Sequence, residues 1–341
     1  MRRTFVSTRL RDRLSLPVVC PPMFLVSGPD LVRAACLSGL IGALPRQNAR
    51  TLKQFDRWLS DIVPELDDAR AGGTRVGPIA ANLPSKVSQA EIDENLEVLA
   101  RHHVDIVITA YGDPTEVTKR VHDWGGIVYH DVTSIRFAEK AIGAGVDGLV
   151  CIGAGGGGHS GTLSHLAFIP KVRSMFDGTI IAAGAITTGA GVRAAEILGA
   201  DLCYLGTRFI ATEESMASRE YKQMLVEGTA QDLYYLPAEG GVPANWLGQS
   251  LRHFVEDFEA IATDYQHHRR GALPRDLRYW VDVWSAGQGI ELIDDVPPVA
   301  ELVSRLRCEY VEACHVPDMA RIASGEARSH EYGTAAWVGD I

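Results

Sequence analysis

The sequence predicts an α/β protein, specifically a (β/α)8 TIM barrel with a mostly helical inserted subdomain after strand eight. Eight short runs rich in Val, Ile and Ala are bounded by Gly or Pro, and helical patterns fill most of the gaps between them. Such apolar runs are typical of strands buried on both faces, because helices cover a parallel sheet. The 341 residues also accommodate a barrel of about 250 residues and an added segment. A doubly wound open sheet is the alternative.

Each predicted element has its own local signal. The eight predicted strands are 17–20, 40–44, 76–82, 104–110, 126–129, 146–152, 179–183 and 201–205. Ser88 with Glu91 three residues later has the pattern of a capping box and predicts a helix through about residue 102. Two further helices begin at Thr133 or Ser134 and at Thr187 or Thr188, and a closing helix covers 299–313.

The alternation of strands and helices stops after strand eight, which predicts the domain organisation. Residues 1–212 and 283–317 form the barrel. Residues 213–282 are polar and aromatic with helical stretches and no convincing strand, so they form a mostly helical insertion that covers the substrate. Residues 318–341 form a C-terminal tail rich in small and polar residues.

Composition narrows the possible functions and partners. The formal net charge of −10 disfavours nucleic-acid binding, which needs positive charge facing the phosphates. No segment is apolar enough over sufficient length to span a bilayer. The six cysteines form no C-x-x-C pair, and no carboxylate–histidine spacing indicates a metal site. We therefore expect a soluble, cytoplasmic protein that binds no metal.

The loop after strand six is the first candidate for chemistry. It contains four consecutive glycines and ends in Gly158-His159-Ser160-Gly161. Glycines let the backbone approach a ligand closely, and a histidine acts as base, acid or donor near neutral pH. A dinucleotide site is not indicated, because no acidic residue follows at the required distance. The alternative is a flexible loop with an incidental histidine.

The loops after strands seven and eight predict a phosphate site. In such barrels these two loops commonly bind phosphate. Gly184, Ala185, Gly206 and Thr207 offer backbone amides, and Thr207 also offers a hydroxyl. Arg208 either adds charge or braces the loop from behind. Two ordinary tight turns are the alternative.

Several short motifs occur in one order along the chain, within 17–209 and again within 284–306. They are Pro21-Pro22-Met23, Gly39-Leu40-Ile41-Gly42, Asn82-Leu83, the Gly-Gly-His-Ser-Gly loop at 157–161, Ala182-Ala183-Gly184-Ala185-Ile186, Gly206-Thr207-Arg208-Phe209 with Thr212-Glu213-Glu214, and Ala286-Gly287-Gln288. In this order they resemble the nitronate monooxygenase family, also called 2-nitropropane dioxygenases.

The resemblance implies a non-covalent FMN and a catalytic histidine. The FMN phosphate would lie on the amides of the two phosphate loops named above. Pro22, Met23 and Asn82 would lie near the isoalloxazine, and Gly157 and Gly158 would approach it. His159 would occupy the family's catalytic position, facing the substrate.

Three positions depart from the family pattern. Ile152 and Gly155 replace a glutamine and a glutamate that the family often has near the glycine loop. Many relatives have a lysine near the flavin where this chain has only His130 and Asp131 as ionisable candidates. Loss of that cation would change how the reduced, anionic flavin is stabilised.

The resemblance implies oxidation of alkyl nitronates (nitroalkanes) by O2 to a carbonyl compound and nitrite. An NAD(P)H-dependent reductase acting on a quinone or an enoyl thioester is the alternative enzyme, and a flavin-binding protein without turnover is a third possibility. The aromatic residues Tyr234, Tyr235, Trp246, Tyr279 and Trp280 either cover the active site or form the contact of a homodimer.

Overall fold

The computed structural model describes residues 8–83, 87–237 and 241–315, and it contains a closed barrel of eight parallel strands. In order around the barrel, the strands are β1 (Val18–Cys20), β2 (Ile41–Pro45), β3 (Ile79–Asn82), β4 (Ile106–Ala110), β5 (Ile127–Val132), β6 (Gly148–Ile152), β8 (Thr179–Ala183) and β9 (Leu202–Tyr204). Strand β9 pairs with β1 and closes the barrel. The TIM-barrel prediction is confirmed, and the open-sheet alternative is wrong.

A second, three-stranded antiparallel sheet lies outside the barrel. Its strands are β7 (Gly158–His159), β10 (Leu233–Pro237) and β11 (Pro243–Leu247), in the order β10-β11-β7. The predicted histidine therefore lies in a strand of its own, paired with a segment that follows the barrel in sequence.

Helices follow most of the barrel strands. Those that precede β9 are α1 (Thr8–Arg11), α2 (Pro29–Leu37), α3 (Leu52–Ala71), α4 (Gln89–Arg101), α5 (Thr115–Asp123), α6 (Ile135–Gly143), α7 (His165–Arg173) and α8 (Gly189–Leu198). Those that follow it are α9 (Gly206–Ile210), α10 (Arg219–Glu227), α11 (Gly248–Leu251), α12 (Phe258–His268) and α13 (Val299–Cys314). No helix within the described ranges is long and apolar enough to cross a membrane.

The predicted helix starts are confirmed by their hydrogen bonds. Ser88 and Glu91 form the reciprocal capping box at the start of α4. Of the two pairs of alternatives, Ser134 caps α6 and Thr188 caps α8, each accepting a backbone N–H with its side chain. The predicted closing helix is α13, which packs on α8, where Gly189 N–H donates to Glu309 Oε2 at 2.7 Å.

Side chains along each barrel strand alternate between two hydrophobic layers. One set of side chains fills the barrel interior, and the next residue along each strand faces the surrounding helices. Tyr129 on β5 belongs to the interior set. Asp131, two residues further on, points to the same side near the C-terminal end of the barrel, whereas His130 points the other way.

The segment 213–282 agrees with the prediction only in part. The expected helices are present as α10, α11 and α12, but the expectation that the segment has no strand is wrong. Strands β10 and β11 pair in a hairpin, but they contain no β-branched residues, which weakens the strand signal in their sequence. Strand β11 also pairs with β7 of the glycine loop, a contact between distant parts of the chain that no local pattern indicates. The domain boundaries stay a prediction, and the tail 318–341 lies outside the described residues.

Candidate active site

A cavity of about 1310 Å³ opens at the C-terminal ends of the barrel strands, where active sites of this fold lie. All ten residues that the sequence analysis named as catalytic or cofactor-binding line it. They are Pro22, Met23, Asn82, Gly157, Gly158, His159, Gly184, Ala185, Gly206 and Thr207. The sequence motifs are thus brought together around one space, while their individual roles stay predictions.

The glycine loop is tied to the β10–β11 hairpin. Asn245 on β11 is buried, and its amide donates to Gly156 O at 2.6 Å and to Ser160 Oγ at 3.2 Å. The Tyr235 hydroxyl donates to Ser160 O at 3.0 Å. Backbone pairing aligns Ala244 with His159. The loop is therefore held on both sides of the histidine, which disagrees with the alternative of an incidental residue on a flexible loop.

His159 is surrounded by two aromatic side chains. Its Nδ1 lies 2.9 Å from the Tyr111 hydroxyl oxygen, and the Tyr111 ring meets the imidazole edge-on at 5.9 Å. The Trp280 indole makes a second edge contact at 5.1 Å between ring centroids. Burial and the nearby Asp131 carboxyl raise the pKa of Tyr111, so its hydroxyl stays protonated at neutral pH.

Tyr111 is a site residue that the sequence analysis missed. It follows β4 directly, and the loop after a barrel strand contributes to the working face, so its position was the available signal. Trp280 was named only as part of the aromatic group. Trp280 lines the cavity, whereas Trp246 and Tyr279 pack in a separate hydrophobic cluster, so of this group only Trp280 is placed at the site among the described residues.

The two predicted phosphate loops meet the glycine loop at close range. Gly184 has a left-handed φ of +124°, and a Cβ there would lie 2.9 Å from Gly156 N, so no side chain fits. Ala185 also has a left-handed φ, +56°, which is uncommon outside glycine. Thr207 Oγ1 accepts from Gly287 N at 2.9 Å and keeps its own proton for donation.

Two basic side chains near these loops have structural rather than ligand contacts. Arg208 is buried and donates to Ala211 O at 2.9 Å and to Asp295 O at 2.8 Å, so it braces the loop from behind. His165 lies 3.0 Å from Ala183 O through Nε2 and packs against β8. Neither residue lines the cavity.

The motif Ala286-Gly287-Gln288 closes over the glycine loop. Gln288 N donates to Gly155 O at 2.9 Å. Gly155 has a φ of +86°, and a Cβ there would lie 2.8 Å from Gln288 Oε1. A glutamate at Gly155 would be strained mainly by this left-handed backbone conformation, because the Gln288 side-chain oxygen can move aside. For Ile152 the structure offers no comparable account.

The basic and acidic side chains of β5 on the cavity floor are His130 and Asp131, and neither is a fixed cation. Burial lowers the pKa of His130 to about 4, and its Nδ1 lies 2.8 Å from Thr109 Oγ1, so the ring is neutral. Burial raises the pKa of Asp131 to about 7. Among the described residues, Asp131 Oδ1 and the hydroxyl of Tyr204 are buried without a hydrogen-bond partner.

These residues suit a phosphorylated ring cofactor. Orphaned polar atoms are rare in protein interiors and indicate a missing partner. A Cβ on Gly206 would lie at ordinary contact distance, 3.6 Å from Pro21 and 3.7 Å from Met23 Sδ, so this turn leaves room for a group pressed against the backbone. The fold and this site together define a TIM-barrel protein whose working face can hold a phosphorylated ring.

The chain belongs to the nitronate monooxygenase family, whose model matches residues 8–309. A nitronate monooxygenase of Paraburkholderia phytofirmans is 26% identical, over 86% of this chain and 92% of its own length. FabK from Thermotoga maritima has 25% identity and a TM-score of 0.73, over 96% of this chain and all of its own.

A third relative is named for a different activity. It is the (3aS,4S,5R,7aS)-5-hydroxy-7a-methyl-1-oxo-octahydro-1H-indene-4-carboxyl-CoA dehydrogenase of Rhodococcus jostii, 26% identical over 70% of this chain. The match spans 65% of that relative's length, and 59% of the same enzyme from Mycobacterium tuberculosis. Family membership therefore leaves the substrate to be argued from the site.

Proposed function

We propose that this protein binds FMN and oxidises alkyl nitronates with O2, yielding a carbonyl compound and nitrite. The observation that supports it best is the pair His159 and Tyr111 at the mouth of a cavity whose inner walls are the glycine and phosphate loops. Bound FMN supplies the electron acceptance from substrate and the reaction with O2.

The residues divide into a cofactor part and a substrate part. The amides of Gly184, Ala185, Gly206 and Thr207 would hold the phosphate, and Thr207 would add a hydroxyl. The ring would rest against Pro22, Met23 and Asn82, with Gly157 and Gly158 on its other side. This arrangement leaves His159, Tyr111 and Trp280 around the remaining space near the opening.

His159 has two uses toward such a substrate. It donates a hydrogen bond to the nitro oxygens of a nitronate, or it removes the α-proton of a neutral nitroalkane as a general base. When the Tyr111 hydroxyl donates to Nδ1, the imidazole proton lies on Nε2 and is available for donation to a nitronate. The general-base role needs the other tautomer, in which Nδ1–H donates to the Tyr111 oxygen and the Nε2 lone pair is free. Trp280 packs on the ring edge and restricts its rotation.

Nitrite release from nitronates in air tests the proposal. We expect His159→Asn to lose about 10²–10⁴-fold in kcat/KM, the range for a missing acid–base group. Tyr111→Phe should lose less, because the imidazole itself remains. His268→Asn is the matched control, since His268 is exposed on α12 and pairs with Asp264. Failure of the holoprotein to release nitrite, or full activity of His159→Asn, would contradict the proposal.

A second candidate is an NAD(P)H-dependent reductase acting on an enoyl thioester or a quinone. The cavity continues past Tyr111 to Phe137 and Lys140 on α6, which leaves space beyond a small nitronate for a longer substrate. Two of the relatives are named as carboxyl-CoA dehydrogenases. The continuation toward Lys140 favours a substrate with an extended anionic portion.

Anaerobic reduction separates the candidates. The flavin absorbance of the holoprotein is followed after addition of NADH, NADPH or a nitronate. Fast bleaching by a pyridine nucleotide favours the reductase, and bleaching by nitronate alone favours the oxygenase. Bound FMN that none of these donors reduces at a useful rate would support a flavin-binding protein without turnover.

A further inference from the structure

The Asp131 carboxyl and the Tyr204 hydroxyl each have a buried oxygen atom without a hydrogen-bond partner in the part of the chain that the structure describes. Asp131 lies at the end of β5 and Tyr204 at the end of β9, and both line the cavity. Asp131 Oδ1 and Tyr204 Oη are inaccessible to solvent, and neither has a partner among the described residues. An unsatisfied buried polar group costs about 1–3 kcal/mol, so two of them at one place indicate that a ligand supplies the partners.

The described side chains that interact with Asp131 carry hydroxyl groups. Tyr204 faces it from β9, Tyr111 from the loop after β4, and Tyr129 lies below it on its own strand. His130 points outward to Thr109 and is neutral. Burial is the cause of the raised pKa of Asp131, about 7, so its carboxyl is largely protonated below that pH. A protonated carboxyl donates a hydrogen bond, as a tyrosine hydroxyl does.

We propose that Asp131 and Tyr204 form a donor pair that hydrogen-bonds the bound flavin ring, and that reduction of the ring is coupled to proton uptake by Asp131. This inference rests on flavin binding at the proposed site, but not on nitronate as the substrate. The donor pair takes the place of a fixed positive charge at this position. Asp131 acts on the cofactor directly and Tyr204 adds a second donor that does not titrate.

The coupling follows from charge. Two electrons from any reductant, with one proton from water, leave a negative charge on the reduced ring, and a carboxylate beside it would be repelled. Reduction therefore raises the pKa of Asp131, and above about pH 7 the ionised carboxyl takes one further proton from water. Asp131 then donates that proton in a hydrogen bond to the ring, and reoxidation releases it.

The midpoint potential of the FMN-loaded protein, measured against pH, tests the coupling. Each additional proton bound on two-electron reduction steepens the pH dependence by about 30 mV per pH unit, the equivalent of tenfold in proton activity. We expect the wild type above about pH 7 to show this extra slope, and Asp131→Asn to lack it. Asp113→Asn is the matched control, because Asp113 lines the same cavity at its exposed rim and bonds to Thr115. Equal slopes in the wild type and Asp131→Asn would overturn the proposal.

Tyr204→Phe tests the second donor and remains informative if Asp131→Asn does not fold. Removal of one donated hydrogen bond should weaken FMN binding about threefold to tenfold and leave the slope of potential against pH unchanged. Unaltered FMN affinity in Tyr204→Phe would remove Tyr204 from the pair. A protein that binds no FMN would contradict the proposed cofactor, whereas normal FMN binding without the extra slope would contradict only this inference.

Discussion

The carboxyl of Asp131 should make the stability of the cofactor-free protein depend on pH. Burial raises its pKa from 3.8 to about 7, so the folded state binds this proton more tightly than the unfolded chain does. The resulting stability is fully present below the unfolded pKa and is lost as the pH rises through the folded pKa. At about 1.36 kcal/mol per pKa unit, the whole loss is about 4 kcal/mol. This is an upper limit, because the residue as a whole is only half-buried.

Asp131→Asn removes the titration and keeps the size of the side chain. We expect urea denaturation, with the cofactor removed, to show the variant gaining up to about 3 kcal/mol on the wild type between about pH 5 and about pH 8. Asp113→Asn should show no such trend, because hydrogen bonds from Thr115 lower the pKa of Asp113 and keep it ionised throughout. Stabilities of the wild type and Asp131→Asn that run parallel over this range would refute the reasoning.

Three further predictions concern the loops and one helix. Asn245→Ala should lower the free energy of unfolding by about 1–3 kcal/mol, because it leaves Gly156 O unpaired. It should lower turnover more than FMN affinity, and an unchanged urea midpoint with unchanged turnover would contradict this. Ala185→Gly should raise the free energy of unfolding in urea by up to about 1 kcal/mol, because glycine adopts the left-handed conformation without strain. Gly184→Ala should lower it by more than that, and the opposite order would refute the strain argument. Ser88→Ala should lower the unfolding free energy by about 1 kcal/mol, and an unchanged value would mean that the capping box adds nothing.

The barrel was predictable from sequence because its signals are local. Strand β8 was predicted with its observed bounds, and the other barrel strands within a few residues, since a strand buried on both faces leaves an uninterrupted apolar run. The capping box at Ser88 is also a local signal, because its partner Glu91 lies only three residues along the chain. The convergence of the ten site residues followed from the same strands, because all strand C-termini of such a barrel lie on one face.

The neighbours of His159 could not be predicted in this way. Asn245 lies more than eighty residues along the chain from the carbonyl that it binds, and a single buried amide in an apolar strand has no sequence signature. The ionisation of the residues on the cavity floor depends on their burial, which cannot be predicted from a local sequence pattern. Asp131 was recognised as a departure from a family pattern, but its raised pKa, about 7, follows only from the structure.

The two parts of the site therefore differ in how they are built. The proposed cofactor floor comes from side chains on β5 and β9, two strands of the closed barrel, so it cannot move without disturbing the barrel. The wall beside His159 comes from β11 and from Trp280, which belong to a separate hydrophobic cluster. Because those contacts can repack without altering the barrel, the same floor is compatible with different substrate walls. If the proposed function is correct, substitutions at His159 and its aromatic neighbours should change the preferred substrate, whereas substitutions at Asp131 and Tyr204 should change the potential of the bound flavin.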